Sequence, residues 1–405
     1  MKIKLAINHR DLTSQWHSLL FAYCLLLFEE ILPSDFFPLY NVPTKTSLKM
    51  SLKSLKIQNY RTYGKAELEI GDINILIGGN TEGKTNLLEA ISYLTFGKSF
   101  RSHDKDLVKW GEEYFRIEAR RNDNKKIEIF YSPEPPKKVL KIDNKPKKQS
   151  ELFGLNLAVV FTPEDINLIA SSPDKKRRYL DMVISQVDKK YLYHLIGYKK
   201  ILKQRNSLLL RIREGSGGLK ELAVWSDQLV QKGIYIIKKR FEFFADLEPL
   251  LLNSYQIFSD DNLWLKYAHS VDNSEEFFKR RLKEFESIDI ISAKTTVGPH
   301  RDDFTFYLND KSLESIGSRG EFRSAVLSLK LSEIKYLENK TENKPIFLLD
   351  DVFSELDIKR RGALYNLITN YQTVITSTDL DHLSPELLKK ANLFKIENHE
   401  VVREK

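Results

Sequence analysis

Short apolar runs of the β type, separated by turn signals, fill residues 50–165 around a single helical stretch. From about residue 170 to 290 the apolar spacing becomes helical, with few breakers apart from the Gly215–Gly218 loop, Gly233 and Pro249. Tyr191–Arg213 and Leu219–Phe244 are two of these helical stretches. Strand patterns return towards the end of the chain. The pattern therefore predicts an α/β chain in which a long helical segment separates two strand-containing parts.

A strand, a loop and a helix follow one another within residues 73–94. The apolar run Ile73–Ile77 predicts the strand, and Leu87, Leu88 and Ile91 share one face of the helix. The loop between them matches the phosphate-binding pattern G-x-x-x-x-G-K-[ST] and consists of Gly78, Gly79, Asn80, Thr81, Glu82, Gly83, Lys84 and Thr85.

Each fixed residue of this loop has a chemical purpose. Glycine at positions 78 and 83 lets backbone N–H groups turn inward onto phosphate oxygens, and Lys84 adds a positive charge at the outer phosphates. Thr85 would place its hydroxyl group on Mg²⁺. A coincidental turn is the alternative interpretation, but the flanking strand and helix are independent signals against it.

A second candidate element of the site lies far downstream. The apolar run Ile346–Leu349 predicts a buried strand, and two carboxylates, Asp350 and Asp351, follow it. At the carboxyl end of a strand, Asp350 would hold Mg²⁺ through water and Asp351 would align the attacking water. A buried strand that ends in an acidic turn is the alternative.

Ser318 and Gly320 precede a helical stretch and predict an anion site. Backbone N–H groups, the helix dipole and the Ser318 hydroxyl together suit a γ-phosphate. Because the chain already has a phosphate-binding loop, two such sites imply two protomers that share one nucleotide. An ordinary N-cap serine is the alternative.

Taken together these motifs resemble the RecF family, ABC-type ATPases related to the SMC heads, from Met50 to near the C-terminus. The resemblance rests on residues 55–61 (LKIQNYR), 298–304 (GPHRDDF), 318–323 (SRGEFR) and 350–357 (DDVFSELD). It implies an SMC-like ATPase head in residues 50–168 and 291–405, with an inserted helical lobe in residues 169–290.

The resemblance also implies a function. We expect an ATP-dependent homodimer that binds double-stranded and single-stranded DNA at their junctions and works with RecO and RecR to load recombinase in recombinational repair and replication restart. Hydrolysis would be slow, DNA-stimulated and used for release. Two rivals remain open: a soluble ATPase subunit of a transporter, and a DNA-binding scaffold with a decayed nucleotide site.

Some residues depart from the family pattern or leave their role open. Thr81 stands where these loops usually carry glycine, and a left-handed backbone there would cost on the order of 1–3 kcal/mol. Phe322 stands where the family often has glutamine, and Thr378 stands where transport ATPases place a switch histidine. Arg61 either contacts phosphate or is solvated. His300, Asp302 and Asp303 are close enough in sequence to suggest a metal site, but we favour the interpretation that they form a turn leading into a strand.

Composition fits an intracellular DNA-binding protein. The 405 residues include 41% hydrophobic and 30% charged residues and carry a net charge of +8, which favours a polyanionic partner over a membrane. Two basic clusters are candidate DNA contacts, although charge runs are more often solvated faces. The first comprises Lys137, Lys138, Lys141, Lys145, Lys147 and Lys148, and the second Lys175, Lys176, Arg177 and Arg178.

Residues 1–49 fit none of these elements. The apolar run 18–28 follows a basic start like a signal peptide, but Glu29 and Glu30 follow it without a small-residue cleavage site. We therefore expect a non-native or disordered extension, with translation starting at Met50. The lone cysteine, Cys24, excludes an internal disulfide and suits the cytoplasm.

Overall fold

The computed structural model describes residues 51–404 of the chain. The expectations for residues 1–49, including those for Cys24 and for a start at Met50, lie outside the described residues. None of the described helices is both long and apolar enough to cross a membrane.

Three β-sheets organise the described chain. The strands are β1 (Leu52–Tyr60), β2 (Tyr63–Glu69), β3 (Ile73–Ile77), β4 (Phe115–Arg121), β5 (Lys126–Pro133), β6 (Pro136–Ile142), β7 (Lys145–Lys147), β8 (Ala158–Phe161), β9 (Leu263–Ala268), β10 (Asp303–Leu308), β11 (Lys311–Ser312), β12 (Ile346–Asp350), β13 (Thr373–Ser377), β14 (Asn392–Glu397) and β15 (Glu400–Arg403). The helices are α1 (Lys84–Phe96), α2 (Pro173–Val187), α3 (Lys189–Arg213), α4 (Leu219–Tyr255), α5 (Glu275–Glu284), α6 (Glu286–Ser292), α7 (Leu313–Ile316), α8 (Arg319–Thr341), α9 (Ile358–Ile368) and α10 (Pro385–Lys390).

The central sheet has the strand order β15-β14-β3-β13-β12-β8 and is parallel except for β15. Strands distant in sequence are paired in it, so that Ile375 of β13 faces Leu349 of β12 on one side and Ile75 of β3 on the other. Because these strands are parallel, their carboxyl ends share one edge. The loop after β3 and the carboxylates after β12 are thereby brought together.

Side chains alternate between the two faces of this sheet and build two cores. Ile75 and Leu349 point into a core shared with the helices, whereas Leu76 and Leu348 point into a second core. The second core also contains α1 and the antiparallel sheet, whose order is β2-β1-β4-β5-β6-β7. Helix α1 is thus packed between two sheets, which fixes the start of that helix relative to the site.

The inserted segment is mainly helical, as its apolar spacing predicts, but one part of it is a strand. Residues 263–268 form β9, which pairs with β10 in the three-stranded sheet. Helix α4 extends beyond Phe244, through Pro249, to Tyr255. Buried Leu247 and Leu251 hold this extension against the core, so tertiary packing outweighs the helix-breaking tendency of proline.

Candidate functional site

The phosphate-binding loop leaves β3 at Ile77 and enters α1 at Lys84, in the predicted order of strand, loop and helix. Two of its glycines are required by their surroundings. A Cβ atom at Gly78 would lie 2.4 Å from the backbone oxygen of Ile396. Gly83 has a φ of +108°, and a Cβ atom there would lie 2.8 Å from Tyr63 Oη. The loop therefore has no room for side chains at these positions.

Thr81 adopts the left-handed backbone expected to be costly, with a φ of 70°. Its hydroxyl group donates a hydrogen bond to the carbonyl oxygen of Asn80 at 2.5 Å. The loop thus keeps its shape in spite of the β-branched residue, and the cost of 1–3 kcal/mol, by order of magnitude, falls on the folded state.

Lys84 is buried, and its ammonium group lies back over the loop, 2.7 Å from the carbonyl oxygens of Gly78 and of Gly79. Burial lowers the pKa of Lys84, while Asp351 and Asp350 oppose that shift. The lysine charge is therefore held beside the loop and close to the two carboxylates.

Asp350 links three elements of the site. Its Oδ1 accepts hydrogen bonds from Thr85 at the start of α1 and from Thr376 of β13, each at 2.8 Å. The Thr376 hydroxyl also accepts a hydrogen bond from the backbone N–H of Asp351 at 2.9 Å. Thr85 and Asp350 thus present adjacent hard oxygen atoms, the type of donor that Mg²⁺ prefers.

Asp351 is a carboxylate at this edge of the sheet whose hydrogen-bonding capacity is only partly used. Its φ of 51° lies in the left-handed region, and its Oδ1 is buried without a hydrogen-bond partner. Burial raises the pKa of Asp351, Lys84 opposes the shift, and the charges of Asp350 and Asp379 add to it. Strained backbone and an unpaired carboxylate oxygen are features that folded proteins retain mainly at functional positions.

Sequence reasoning missed two residues next to this site. Asp379 follows β13 at the same sheet edge, and its position after a strand could have been a signal. His399, in the turn between β14 and β15, hydrogen-bonds through Nδ1 to the carbonyl oxygen of Glu82 at 3.0 Å. The hairpin that carries His399 packs over the loop, and nothing in the local sequence indicates this long-range contact.

Arg61 is neither free nor solvated. Its Nε and Nη2 each donate to the carboxylate of Glu89 at 2.9 Å, and its side chain is 18% exposed. Arg101 and Ser99 also donate to Glu89. Burial opposes ionisation of Glu89, but these donors hold its pKa below the usual range. The solvated alternative for Arg61 is therefore wrong, and its contact with phosphate stays a prediction.

Residues 318–321, here called the signature turn, begin helix α8. Ser318 is an N-cap whose Oγ accepts from the backbone N–H of Glu321 at 3.2 Å, and the Glu321 carboxylate accepts from the Ser318 N–H at 2.6 Å. Phe322 packs over Gly317. In the described part of the chain, the hydrogen bonds of Ser318 and Gly320 join them to neighbouring residues of α8, such as Glu321 and Phe322, and to Arg360, and none reaches the phosphate-binding loop.

The basic cluster at residues 175–178 does not form one surface. Lys176 is 3% exposed, and its Nζ lies 3.7 Å from Asp303 Oδ1, because the helical period of α2 directs it inward. Arg177 donates to the carbonyl oxygen of Asp302 at 2.6 Å. The prediction of a DNA contact is thus wrong for Lys176, whereas Lys175 and Arg178 are exposed and their contact with DNA stays a prediction.

Arg178 instead lines a large cleft of about 1140 Å³ between α2, α3 and the loop after α1. Lys98, Lys138 and Lys199 line the same cleft, here called the basic cleft. Partial desolvation within the cleft lowers the pKa of Lys98, and repulsion from Lys199 and Arg178 adds to the shift. Cations from separate elements therefore line this cleft, and two of them are paired with carboxylates there, Lys138 with Asp104 and Lys199 with Asp181.

The other lysine cluster lies on β6 and β7, at the edge of the antiparallel sheet. Lys145 and Lys147 are exposed, whereas Lys138 is half-buried and its Nζ lies 2.8 Å from Asp104 Oδ2. Lysine on an edge strand also prevents unwanted strand pairing, which gives these residues a structural use beside any DNA contact.

His300 and Asp302 serve a buried polar network. Tyr198 Oη and His300 Nδ1 lie 2.6 Å apart, and burial lowers the pKa of His300 to about 4. Asp302 Oδ2 accepts from Arg240 at 2.7 Å, and the same guanidinium binds Asp181 of α2 at 2.9 Å. The turn at residues 298–302 thus connects the inserted helices to strand β10.

Comparison with known proteins agrees with this geometry. The model of the AAA ATPase domain family matches residues 50–294. The DNA replication and repair protein RecF of Thermoanaerobacter pseudethanolicus is 40% identical over 369 residues, which cover 88% of this chain and 100% of that protein.

Solved structures give the same result for the fold. A structure of the recombination mediator protein RecF with ATP, from the RecFOR pathway, is 36% identical, has a TM-score of 0.83 and covers 88% of this chain and 98% of its own. An Smc head bound to the winged-helix domain of ScpA is 14% identical, with a TM-score of 0.52 and coverage of 87% and 97%. The α/β fold of an SMC-like ATPase head is confirmed.

Proposed function

This chain belongs to the RecF family of DNA replication and repair proteins, and from this premise we propose that it is an ATP-operated clamp on DNA. One observation carries the proposal: Thr85 of the phosphate-binding loop is hydrogen-bonded at 2.8 Å to Asp350, beside the unpaired carboxylate of Asp351. Residues that would bind phosphate, hold Mg²⁺ and align water thus lie at one edge of the sheet.

ATP is the nucleotide that the loop would hold. Backbone N–H groups of residues 78–83 and the start of α1 suit its phosphates, with Lys84 beside them. Thr85 and Asp350 would hold Mg²⁺, which supplies charge neutralisation between the phosphates. Their hydroxyl and carboxylate oxygens fit that ion, since Mg²⁺ prefers hard oxygen ligands.

Asp351 would align the attacking water through its unpaired oxygen. Because the reaction needs the ionised carboxylate and burial raises its pKa, hydrolysis should fall as the pH drops through that raised value, at a higher pH than for an ordinary aspartate. We expect slow turnover, in which hydrolysis ends the bound state and releases DNA.

The second half of each site would come from another protomer. Ser318 and Gly320 make no recorded contact with the loop of their own described chain, which leaves the first turn of α8 available to the γ-phosphate held by the partner. Two protomers would thereby enclose two ATP molecules, and loss of the γ-phosphate would remove the bridge between them.

DNA is the polyanion that the basic cleft suits. Lys98, which the charges of Lys199 and Arg178 repel, would gain a counter-charge from a phosphate in the cleft, and counterion release adds to the affinity. We propose that the dimer binds duplex DNA beside a single-stranded gap, where RecO and RecR help to place recombinase. Since this work takes place at the chromosome, during the response to DNA damage, we expect the protein in the cytoplasm.

The two rival functions give different outcomes in one assay. We would measure ATP hydrolysis with and without gapped duplex DNA, in the wild-type protein and in Asp351→Asn. Our account predicts hydrolysis that DNA stimulates and that falls at least about 100-fold in the variant. Hydrolysis indifferent to DNA would favour a transporter subunit, and DNA binding without hydrolysis would favour a scaffold with a decayed site.

A further inference from the structure

Arg360 reaches from the first turn of α9 to the first two turns of α8. Its Nε and Nη2 donate to Ser324 Oγ at 2.9 and 2.7 Å, and Nη2 also donates to the carbonyl oxygen of Gly320 at 2.8 Å. The side chain is 19% exposed, so these hydrogen bonds are partly shielded from water. A charged donor therefore fixes the backbone of the signature turn.

The other side of Arg360 is tied to the segment that follows Asp351. Asp357 caps α9 by accepting from the backbone N–H of Arg360 at 2.9 Å, and its carboxylate also pairs with the guanidinium group. A second link joins Arg323 of α8 to Glu355 at 2.5 Å. The segment 355–360 is thus connected twice to the beginning of α8, once to the signature turn through Arg360 and once to Arg323 just after it.

Gly320 itself is not required by packing within the described chain. A Cβ atom there would make only ordinary contacts, with Arg360 Nη2 at 3.5 Å and Ser318 Oγ at 3.9 Å. The bare backbone at this position is therefore of use to a group that approaches from outside. The Glu321 carboxylate, 2.6 Å from the Ser318 N–H, would repel an approaching anion, and Arg360 provides nearby positive charge that offsets it.

We propose that Arg360 is a positioning residue that holds the signature turn in the conformation needed to bind the partner protomer's nucleotide. The inference rests on the proposed function, because it concerns the same shared site. It adds that one guanidinium group links this turn to the segment that follows Asp351. The part of the chain that caps the partner's nucleotide and the part that aligns water are thereby held in a fixed position relative to each other.

The first test separates nucleotide affinity from dimer formation. In Arg360→Ala the phosphate-binding loop is untouched, so the affinity of the monomer for a fluorescent ATP analogue should stay within about twofold of wild type. The ATP-dependent dimer should weaken at least about tenfold, since hydrogen bonds from a charged donor to the signature turn are lost. Arg360→Lys keeps the charge but cannot bridge Gly320 and Ser324, and we expect an intermediate loss.

Lys359→Ala is the matched control. It removes the same charge one residue earlier, at an exposed side chain that donates to the carbonyl oxygen of Phe258 at 2.8 Å and not to the signature turn. Dimer formation should be unchanged in it. Melting temperatures of all variants show whether each is folded.

The second test asks on which protomer Arg360 acts. A mixed dimer of Arg360→Ala with Lys84→Ala contains one site built from an intact loop and an intact signature turn. If Arg360 serves the partner's nucleotide, the mixture should hydrolyse ATP faster than either variant alone, as should a mixture of Ser318→Ala with Lys84→Ala. Recovery in the Ser318 mixture without recovery in the Arg360 mixture would overturn the proposal.

Two further outcomes are decisive. A folded Arg360→Ala protein that dimerises with ATP as wild type does, or one that loses nucleotide affinity as strongly as dimer formation, contradicts the positioning role. If the wild-type protein itself forms no dimer with ATP, the proposed function fails first, and the two failures are thus distinguishable.

Discussion

Individual residues of the candidate nucleotide site were predicted where a fixed pattern demands them. Lys84, Thr85 and Asp350 follow from the loop pattern and from an acidic strand end, and the structure brings them together. Glu89 could not be predicted in this way, because its role depends on ion pairs with Arg61 and Arg101, which are distant from it in sequence. Residue chemistry is local, but ion pairing depends on the fold.

Thr81 is a β-branched residue in a left-handed backbone conformation, and its replacement by glycine measures the free-energy cost of that strain. With a φ of 70°, threonine is strained where glycine is not. Allowing for the greater freedom of glycine in the unfolded chain, Thr81→Gly should raise the free energy of unfolding by about 1 kcal/mol. Denaturant unfolding of wild type and of the variant would measure this change in the free energy of unfolding.

Thr81→Ala is the control for that experiment, since alanine keeps a Cβ atom in the left-handed region and should bring little of the gain. A glycine variant less stable than wild type would mean that the Thr81 hydroxyl, which donates to Asn80, matters more than the backbone strain.

Among the elements, regular periodicity was a good guide and pairing between distant segments was not. Strand β3 and helix α1 carry strong local patterns and were predicted. Strand β9 was missed, because residues 263–268 are stabilised by pairing with β10, about forty residues away in sequence. The same reason explains why the contact between Glu82 and His399 was not foreseen.

Helix α8 contains a buried acid whose titration should affect stability. Glu333 is 4% exposed; burial raises its pKa to about 7 from an ordinary 4.5, Lys330 opposes the shift, and Asp165 adds to it. The folded protein therefore holds this proton more tightly than the unfolded chain does. The stabilisation is complete below about pH 4.5 and is lost as the pH rises through 7.

Glu333→Gln keeps the shape of the side chain and removes the titration. Between pH 5 and pH 8 we expect this group to lower the free energy of unfolding of wild type by on the order of 2 kcal/mol. The free energy of unfolding of the variant should depend correspondingly less on pH. Denaturant midpoints at several pH values would measure it. Glu338→Gln on the same helix should leave the slope unchanged, because hydrogen bonds hold the pKa of Glu338 low despite burial. Equal slopes in wild type and Glu333→Gln would refute the assignment.

For the whole molecule, the family resemblance predicted the SMC-like head and the inserted helical lobe, and both the fold and the family are confirmed. Surface function was harder to predict. A run of four basic residues looks uniform in sequence, yet the helical period of α2 buries Lys176 and leaves Arg178 in the basic cleft. Which charges share a surface is decided by the packing of elements.

The central claim is that two protomers share ATP, and molar mass in solution tests it most directly. We would use size-exclusion chromatography with light scattering on wild type, Lys84→Ala and Asp351→Asn, with and without ATP and Mg²⁺. We predict a mass near the 47.3 kDa of one chain without ATP and twice that with it. Lys84→Ala should stay monomeric, and Asp351→Asn should remain dimeric because it cannot hydrolyse the bridging γ-phosphate. A monomer of wild type under every condition would contradict the shared site.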